Sequence, residues 1–257
     1  MRNGSSVSPV REILSKVPEV TLGFWIIKIA ATTLGETGGD AVSMSLGIGY
    51  LWGTALFAAL FLAAVGIQIA AKKFHPGVYW MTIIATTTLG TTLADFCDRS
   101  LGIGYAGGSV LLVALLLSSL FTWHRTLGTV EIDTISTPRA EIFYWVTIMC
   151  SQTLGTALGD WTADNERMGY LGSSAIFGGI LALLAAAYFT TKISRVFLFW
   201  VAFIVTRPLG AVVGDFLDKP HDHGGLALSR FAVTGILLAF MGVFMSIFPQ
   251  RPAAKNH

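Results

Sequence analysis

Charge is scarce in this sequence. Asp, Glu, Lys and Arg make up 12% of the 257 residues, against about 25% in an average soluble domain. A chain with so little charge cannot cover a water-facing surface on every side. Cysteine is scarcer still: Cys97 and Cys150 stand far apart, and Cys150 lies inside an apolar run. Neither a disulfide nor a thiolate metal site is expected from two such residues. His75, His124, His221, His223 and His257 all fall outside the long apolar runs. Ser, His and Asp form no recognisable catalytic set, so the chain is not expected to be an enzyme. No glycine-rich phosphate loop with its lysine is present, which argues against ATP hydrolysis. A formal net charge of +2 is too small to point to nucleic acid.

What the sequence has in quantity is apolar residues, 53% of the total, with a mean hydropathy of +0.67. A helix needs roughly 17 to 25 apolar residues to cross a hydrocarbon core. Eight stretches qualify, at about 21–41, 50–71, 78–95, 106–123, 141–159, 170–190, 196–214 and 226–248. The expected fold class is therefore all-α, a polytopic integral membrane protein with eight transmembrane helices. Residues 1–20 are polar and contain proline, with no apolar core of a cleavable signal. They are expected to be a cytoplasmic tail, followed by a single transmembrane domain over 21–248 and a second cytoplasmic tail over 249–257.

Basic residues set the orientation. With both termini inside, the cytoplasmic segments collect eleven: Arg2, Arg11, Lys16, Lys72, Lys73, Arg125, Arg139, Lys192, Arg195, Arg251 and Lys255. The opposite side holds four, Arg99, Arg167, Lys219 and Arg230. This asymmetry predicts cytoplasmic termini. Acids run the other way: Asp40, Asp95, Asp98, Asp160, Asp164, Glu166, Asp215, Asp218 and Asp222 gather at or beyond the outer ends of the odd-numbered segments.

One pattern occurs four times without insertion or deletion: a Trp, a Gly ten residues later preceded by Leu, and an Asp five residues further on. The copies are Trp25/Gly35/Asp40, Trp80/Gly90/Asp95, Trp145/Gly155/Asp160 and Trp200/Gly210/Asp215. The Trp-to-Trp intervals of 55, 65 and 55 residues group them as two pairs. Tandem copying of one supersecondary unit explains this, with repeats at about 21–73, 77–125, 141–192 and 196–248. Two spans per copy give every copy the same topology, so the repeats are expected to be parallel. Each Gly is read as a device for close helix packing, and the Trp residues, near the inner ends, as interfacial anchors.

Helical periodicity puts a polar stripe on each odd segment. It carries Lys28, Thr32, Glu36 and Asp40 in the first copy, then Thr87, Thr91 and Asp95, then Gln152, Thr156 and Asp160, and finally Arg207 and Asp215. Polar groups inside a span face one another or water, so the odd helices are expected to surround a central polar site and the even ones to form an apolar outer layer.

With the Trp and the Leu-Gly-x4-Asp core in hand, the chain resembles a bacterial family of membrane proteins built from four tandem two-helix repeats and catalogued as a repeat of unknown function. The likeness covers roughly residues 21–248. It implies the fold and a place in the bacterial inner membrane, and it supplies no activity. The last copy departs most, with Arg207-Pro208 in place of a Thr-Thr or Gln-Thr pair and Gly225 where the others have Tyr50, Tyr105 and Tyr170.

Oxygen-rich side chains suit hard divalent cations. The expected function is secondary transport of a small cation, manganese or magnesium above others. Glu36, Asp40, Asp95, Asp160 and Asp215 would be the metal ligands, and Thr32, Thr87, Gln152, Arg207 and Lys28 would line the path. No cofactor is expected apart from the transported divalent cation. The expected partners are the lipid bilayer and a small inorganic ion, no nucleic acid, and self-association into a homo-oligomer stays open. Two other readings compete: a small-anion carrier using Lys28 and Arg207, and a membrane scaffold that transports nothing. Lys28 and Arg207 are expected to pair with the acids, Glu36→Gln to abolish transport with folding largely intact, and His221 and His223 to be solvated surface.

Overall fold

The computed structural model describes residues 15–165 and 168–254. Arg2, Arg11, Glu166, Arg167, Lys255 and His257 lie outside them. Among the described residues there are eight α-helices: α1 (Leu22–Asp40), α2 (Gly49–Ala70), α3 (Pro76–Asp95), α4 (Tyr105–Leu127), α5 (Pro138–Asp160), α6 (Gly169–Thr190), α7 (Arg195–Asp218) and α8 (Arg230–Ile247). Their starts are written in the sequence. Thr21, Thr137, Ser194 and Ser229 cap α1, α5, α7 and α8 by accepting from a first-turn N–H, and Pro76 and Pro138 occupy the first turns of α3 and α5.

Five helices, α2, α4, α6, α7 and α8, are long and apolar enough to cross a membrane. α1, α3 and α5 match them in length, but their polar stripes dilute the apolar content. Those stripes are buried against protein. α1, α3, α5 and α7 pack side by side in that order, and α7 returns to α1 to close a ring.

The repeated glycine explains how tightly the ring closes. A Cβ placed on Gly35 would sit 2.8 Å from Cβ of Thr87, and one on Gly90 would sit 3.0 Å from Cβ of Gln152. On Gly155 and Gly210 it would come within 2.5 Å of Cβ of Arg207 and Thr32 respectively. Each interface therefore seats the residue seven places after one Trp against the glycine ten places after its neighbour's. The same offset recurs at all four interfaces, so the odd helices are parallel and in common register. One turn further out, Gly39 meets Thr91, Gly159 meets Ala211 and Gly214 meets Glu36 by the same rule.

Each even helix packs on the odd helix of the next copy, α2 on α3, α4 on α5 and α6 on α7, while α8 closes on α1. Leu62, Leu111, Leu183 and Ile236 on their outer faces are exposed, as lipid-facing positions would be.

The Trp residues are not interfacial anchors. Trp80, Trp145 and Trp200 are buried, and Trp25 is partly buried, in one aromatic core with Phe24, Tyr79, Tyr144, Phe203 and Trp123. Each Trp ring packs on the aromatic residue before an adjacent copy's Trp, Trp80 on Phe24, Trp145 on Tyr79, Trp200 on Tyr144 and Trp25 on Phe199, so that one aromatic layer fills this end of the ring. Tyr79 and Tyr144 share a hydroxyl hydrogen bond of 2.6 Å inside this layer. Beneath it the flanking segments tie together: Lys16 N donates to Ile135 O at 2.8 Å and Ala253 N to Val17 O at 2.8 Å. Lys16 Nζ also reaches Glu141 Oε1 at 2.5 Å and the Gln68 and Ile69 carbonyls at 3.0 Å. The described parts of the two expected tails are thus tied together at this end of the bundle.

Candidate functional site

At the end of the ring opposite the aromatic layer, the Asp that closes each motif is also the last α-helical residue of α1, α3 and α5. A single π-helical turn follows in each case, Ala41–Ser45, Phe96–Ser100 and Trp161–Asn165. α7 instead continues to Asp218. Common register brings Asp40, Asp95, Asp160 and Asp215 to one level, all buried.

Four buried carboxylates would repel, and two bridges relieve them. Arg99 Nε lies 2.8 Å from Asp95 Oδ1, with Nη2 3.5 Å from Asp160 Oδ2. Lys219 Nζ lies 2.5 Å from Asp40 Oδ2 and 3.0 Å from Asp215 Oδ1. Arg99 and Lys219 each stand four residues after their own Asp, in the second and fourth copies, so the bridges repeat with the two halves of the chain. Burial works against the Lys219 charge, but Asp215, Asp40 and Asp218 together hold its ammonium well above the ordinary lysine range. Arg230 completes this edge, with Nε 2.8 Å from Asp218 Oδ2.

Gly225 explains the departure of the last copy. A side chain there would collide with the Lys219 backbone, and the loop folds back so that Ala227 N donates to Lys219 O at 2.8 Å. The Tyr of the other copies is exchanged for a fold that delivers Lys219 into the ring.

One turn deeper sits a single ion pair. Arg207 Nη1 and Nη2 each lie 3.0 Å from Glu36 Oε2, and Nη2 donates to Thr91 Oγ1 and Thr156 Oγ1 at 2.6 Å. Arg207 is fully buried and Glu36 3% exposed. One guanidinium therefore ties together α1, α3, α5 and α7. Thr32 Oγ1 donates to Thr206 O at 3.2 Å across the α7–α1 interface, beside Pro208, whose missing N–H interrupts the normal helical ladder.

The structure sorts the expected site residues. Glu36, Asp40, Asp95, Asp160 and Asp215 come together at the outer end, with one oxygen each from Glu36, Asp160 and Asp215 within 4.8 Å of one another. Arg207 pairs with Glu36. Lys28 does not pair with an acid: its fully buried Nζ has no hydrogen-bond partner among the described residues and stands 4.2 Å from the centre of the Phe203 ring. It lies eight residues before Glu36, about 12 Å along a helix rising 1.5 Å per residue, too deep to reach the acids. Both ends of the Gln152 amide and Thr87 Oγ1 also lack partners. His221 and His223 are exposed. Arg99, Lys219, Thr91 and Thr156 join the expected ligands and path residues in the site; the i,i+4 spacing of Asp95/Arg99 and Asp215/Lys219 is the signal that identifies the two bridges.

Fold and site together define a class: a four-repeat all-helical protein, five of its helices apolar enough to cross a membrane, whose inner ring encloses a stack of buried charges. The chain belongs to the family defined by the Repeat of Unknown Function (DUF347), whose sequence profile matches it four times, at residues 23–74, 78–129, 143–194 and 198–248. No curated protein and no solved structure matches the chain.

Proposed function

We propose that the chain is a secondary transporter that moves a small divalent cation, manganese or magnesium, through the axis of the odd-helix ring, and that it has neither enzymatic activity nor a bound cofactor. In this reading all eight helices span a bacterial inner membrane with both termini in the cytoplasm. α1, α3 and α5 enter it as members of a bundle whose polar faces never meet lipid.

The observation that carries the reading is a charge imbalance in a buried place. Glu36, Asp40, Asp95, Asp160 and Asp215 contribute five carboxylates, against three basic groups from Arg99, Arg207 and Lys219, and Arg230 balances Asp218. Two formal negative charges are left over at these two levels, Lys28 lying about 12 Å deeper along α1. Burying uncompensated charge costs several kcal/mol per ion, and a doubly charged cation on the Glu36, Asp160 and Asp215 oxygens would remove the excess. Carboxylates and threonine hydroxyls are oxygen donors of the kind hard cations prefer.

The anion-carrier reading takes Arg207 as a substrate contact, but both of its terminal nitrogens are committed to Glu36, Thr91 and Thr156. The aromatic layer lies at one end of the axis and the Arg99 and Lys219 bridges at the other, which in this reading is the occluded form of the carrier. Entry from outside requires the bridges to part.

Asp160→Asn is the cleanest test. Its described ion pair is the 3.5 Å contact with Arg99, so little structure depends on it. Manganese or magnesium flux into proteoliposomes should fall at least about ten-fold, the loss of one good charged contact. Undiminished flux in folded Asp160→Asn, or no flux of either ion in the wild type, would reject the reading.

A further inference from the structure

The stack of charges has a second, deeper level that the outer carboxylates do not use. Lys28 is fully buried, and its Nζ meets no oxygen among the described residues. Its surroundings at that level are Ile83, Ile148 and Phe203, all fully buried, and Phe203 offers only its ring face. One turn outward, Gln152 is fully buried with neither amide atom engaged, Thr87 Oγ1 is unengaged, and Arg207 Nε has no acceptor although both its terminal nitrogens do. In a bundle where buried polar groups are almost always hydrogen-bonded, unengaged groups contributed by all four odd helices at adjoining levels are one feature.

The balance of donors and acceptors gives its sign. Lys28 Nζ and Arg207 Nε can only donate, and Gln152 Nε2 donates as well, whereas Gln152 Oε1 is the one atom of the group that can only accept. The nearest acid along α1 is Glu36, whose Oε2 is already taken by Arg207 and Thr91. A water molecule would satisfy some of these donors and leave the lysine charge uncompensated. A small anion would do both. We propose that Lys28, with the Gln152 amide and Arg207 Nε, forms a binding site for a small inorganic anion of chloride size on the bundle axis, inward of the Glu36–Arg207 pair. The site is separate from the outer carboxylates and does not depend on which cation they carry. Its ligand is of opposite sign, so the transporter would hold an anion beneath its cation.

Equilibrium binding of radioactive chloride to the purified full-length chain in detergent, with gluconate as the replacement anion, tests this without any transport measurement. The wild type should bind chloride saturably at a single class of site. Lys28→Met keeps the side-chain length and removes the charge, and should weaken binding at least about ten-fold, whereas Lys28→Arg should retain it. Gln152→Leu should weaken binding less, and it provides the test should Lys28→Met fail to fold. Asp160→Asn should leave chloride binding intact, so failure of the cation reading and failure of this one can be told apart. Absence of saturable binding in the wild type would overturn the proposal, because water or a neutral amine would then account for the unengaged groups. So would binding that survives both Lys28→Met and Gln152→Leu, or binding that disappears in Arg207→Gln but not in Lys28→Met.

Discussion

Replacing Glu36 by Gln should destabilise the protein, contrary to what its sequence position suggests. Glu36 Oε2 accepts two contacts of 3.0 Å from Arg207 and one of 3.2 Å from Thr91. Hydrogen bonds to charged groups contribute about 1.5–3 kcal/mol each, so the two from Arg207 alone amount to about 3–6 kcal/mol. Removing one member of a buried pair costs about 3–5 kcal/mol by an independent route, since it strands the other charge. Replacing both members with apolar residues of similar volume is often neutral or stabilising. Glu36→Gln and Arg207→Met should therefore each lower unfolding free energy by about 3–5 kcal/mol, and Glu36→Leu combined with Arg207→Met should recover most of the loss. Denaturant titration in detergent micelles measures all of these. If Glu36→Gln stays within about 1 kcal/mol of the wild type, or if the losses in the double variant simply add, the pair is not the structural tie described here. Any transport assay on Glu36→Gln has to be normalised to folded protein.

Gly155→Ala should cost about 1–3 kcal/mol by overpacking against Arg207 and Pro208, while Gly178→Ala, with open space around its Cβ, should be neutral or stabilising by up to about 1 kcal/mol; equal effects in the same denaturant titration would refute the close-packing role. Lys219→Met frees Asp40 and Asp215 and raises the formal excess of the ring from two negative charges to three, so manganese should bind more tightly by calorimetry, and weaker binding by folded protein would count against the ring as a cation site. Cysteines introduced between residues 124 and 140 should react only with membrane-permeant reagents in intact cells; labelling by an impermeant reagent would invert the proposed topology.

Much of this arrangement is legible in the sequence, for a physical reason. A four-fold repeat forces equivalent residues to equivalent levels, so finding Gly35, Gly90, Gly155 and Gly210 in register is enough to place Asp40, Asp95, Asp160 and Asp215 together. Helical periodicity likewise separates the polar odd helices from the apolar even ones. The connection between copies is not legible, because a repeat does not say which neighbour an even helix covers, and α2 lies on α3. The side on which each Trp lies is not legible for a related reason: depth along a helix says nothing about whether a ring faces lipid or the bundle. Lys28 and Arg207 look alike in one dimension, both being isolated basic residues on a polar stripe. The eight-residue spacing along α1 already holds Lys28 away from Glu36, but only the lateral contacts of α7 with α1 show that Arg207 reaches it.

Copying alone could not have produced a working ionic core. Identical residues at four equivalent positions give four like charges at one level, and like charges at close range destabilise. Attraction has to come from positions where the copies differ. Glu36 stands where the other copies have Thr91, Thr156 and Ala211, and Arg207 where they have Thr32, Thr87 and Gln152. Lys28 stands where they have Ile83, Ile148 and Phe203. These singular residues belong to the first and last copies, which are farthest apart in the chain and adjacent only because the ring closes. The α7–α1 seam is thus where Arg207 meets Glu36 and where Lys28 lies against Phe203. Arg99 and Lys219 break the symmetry more mildly, by halves, and serve the outer ring. Repetition builds the scaffold and brings the acids together, and the departures from it supply the opposing charges that let a buried ring of carboxylates persist and exchange partners with an ion.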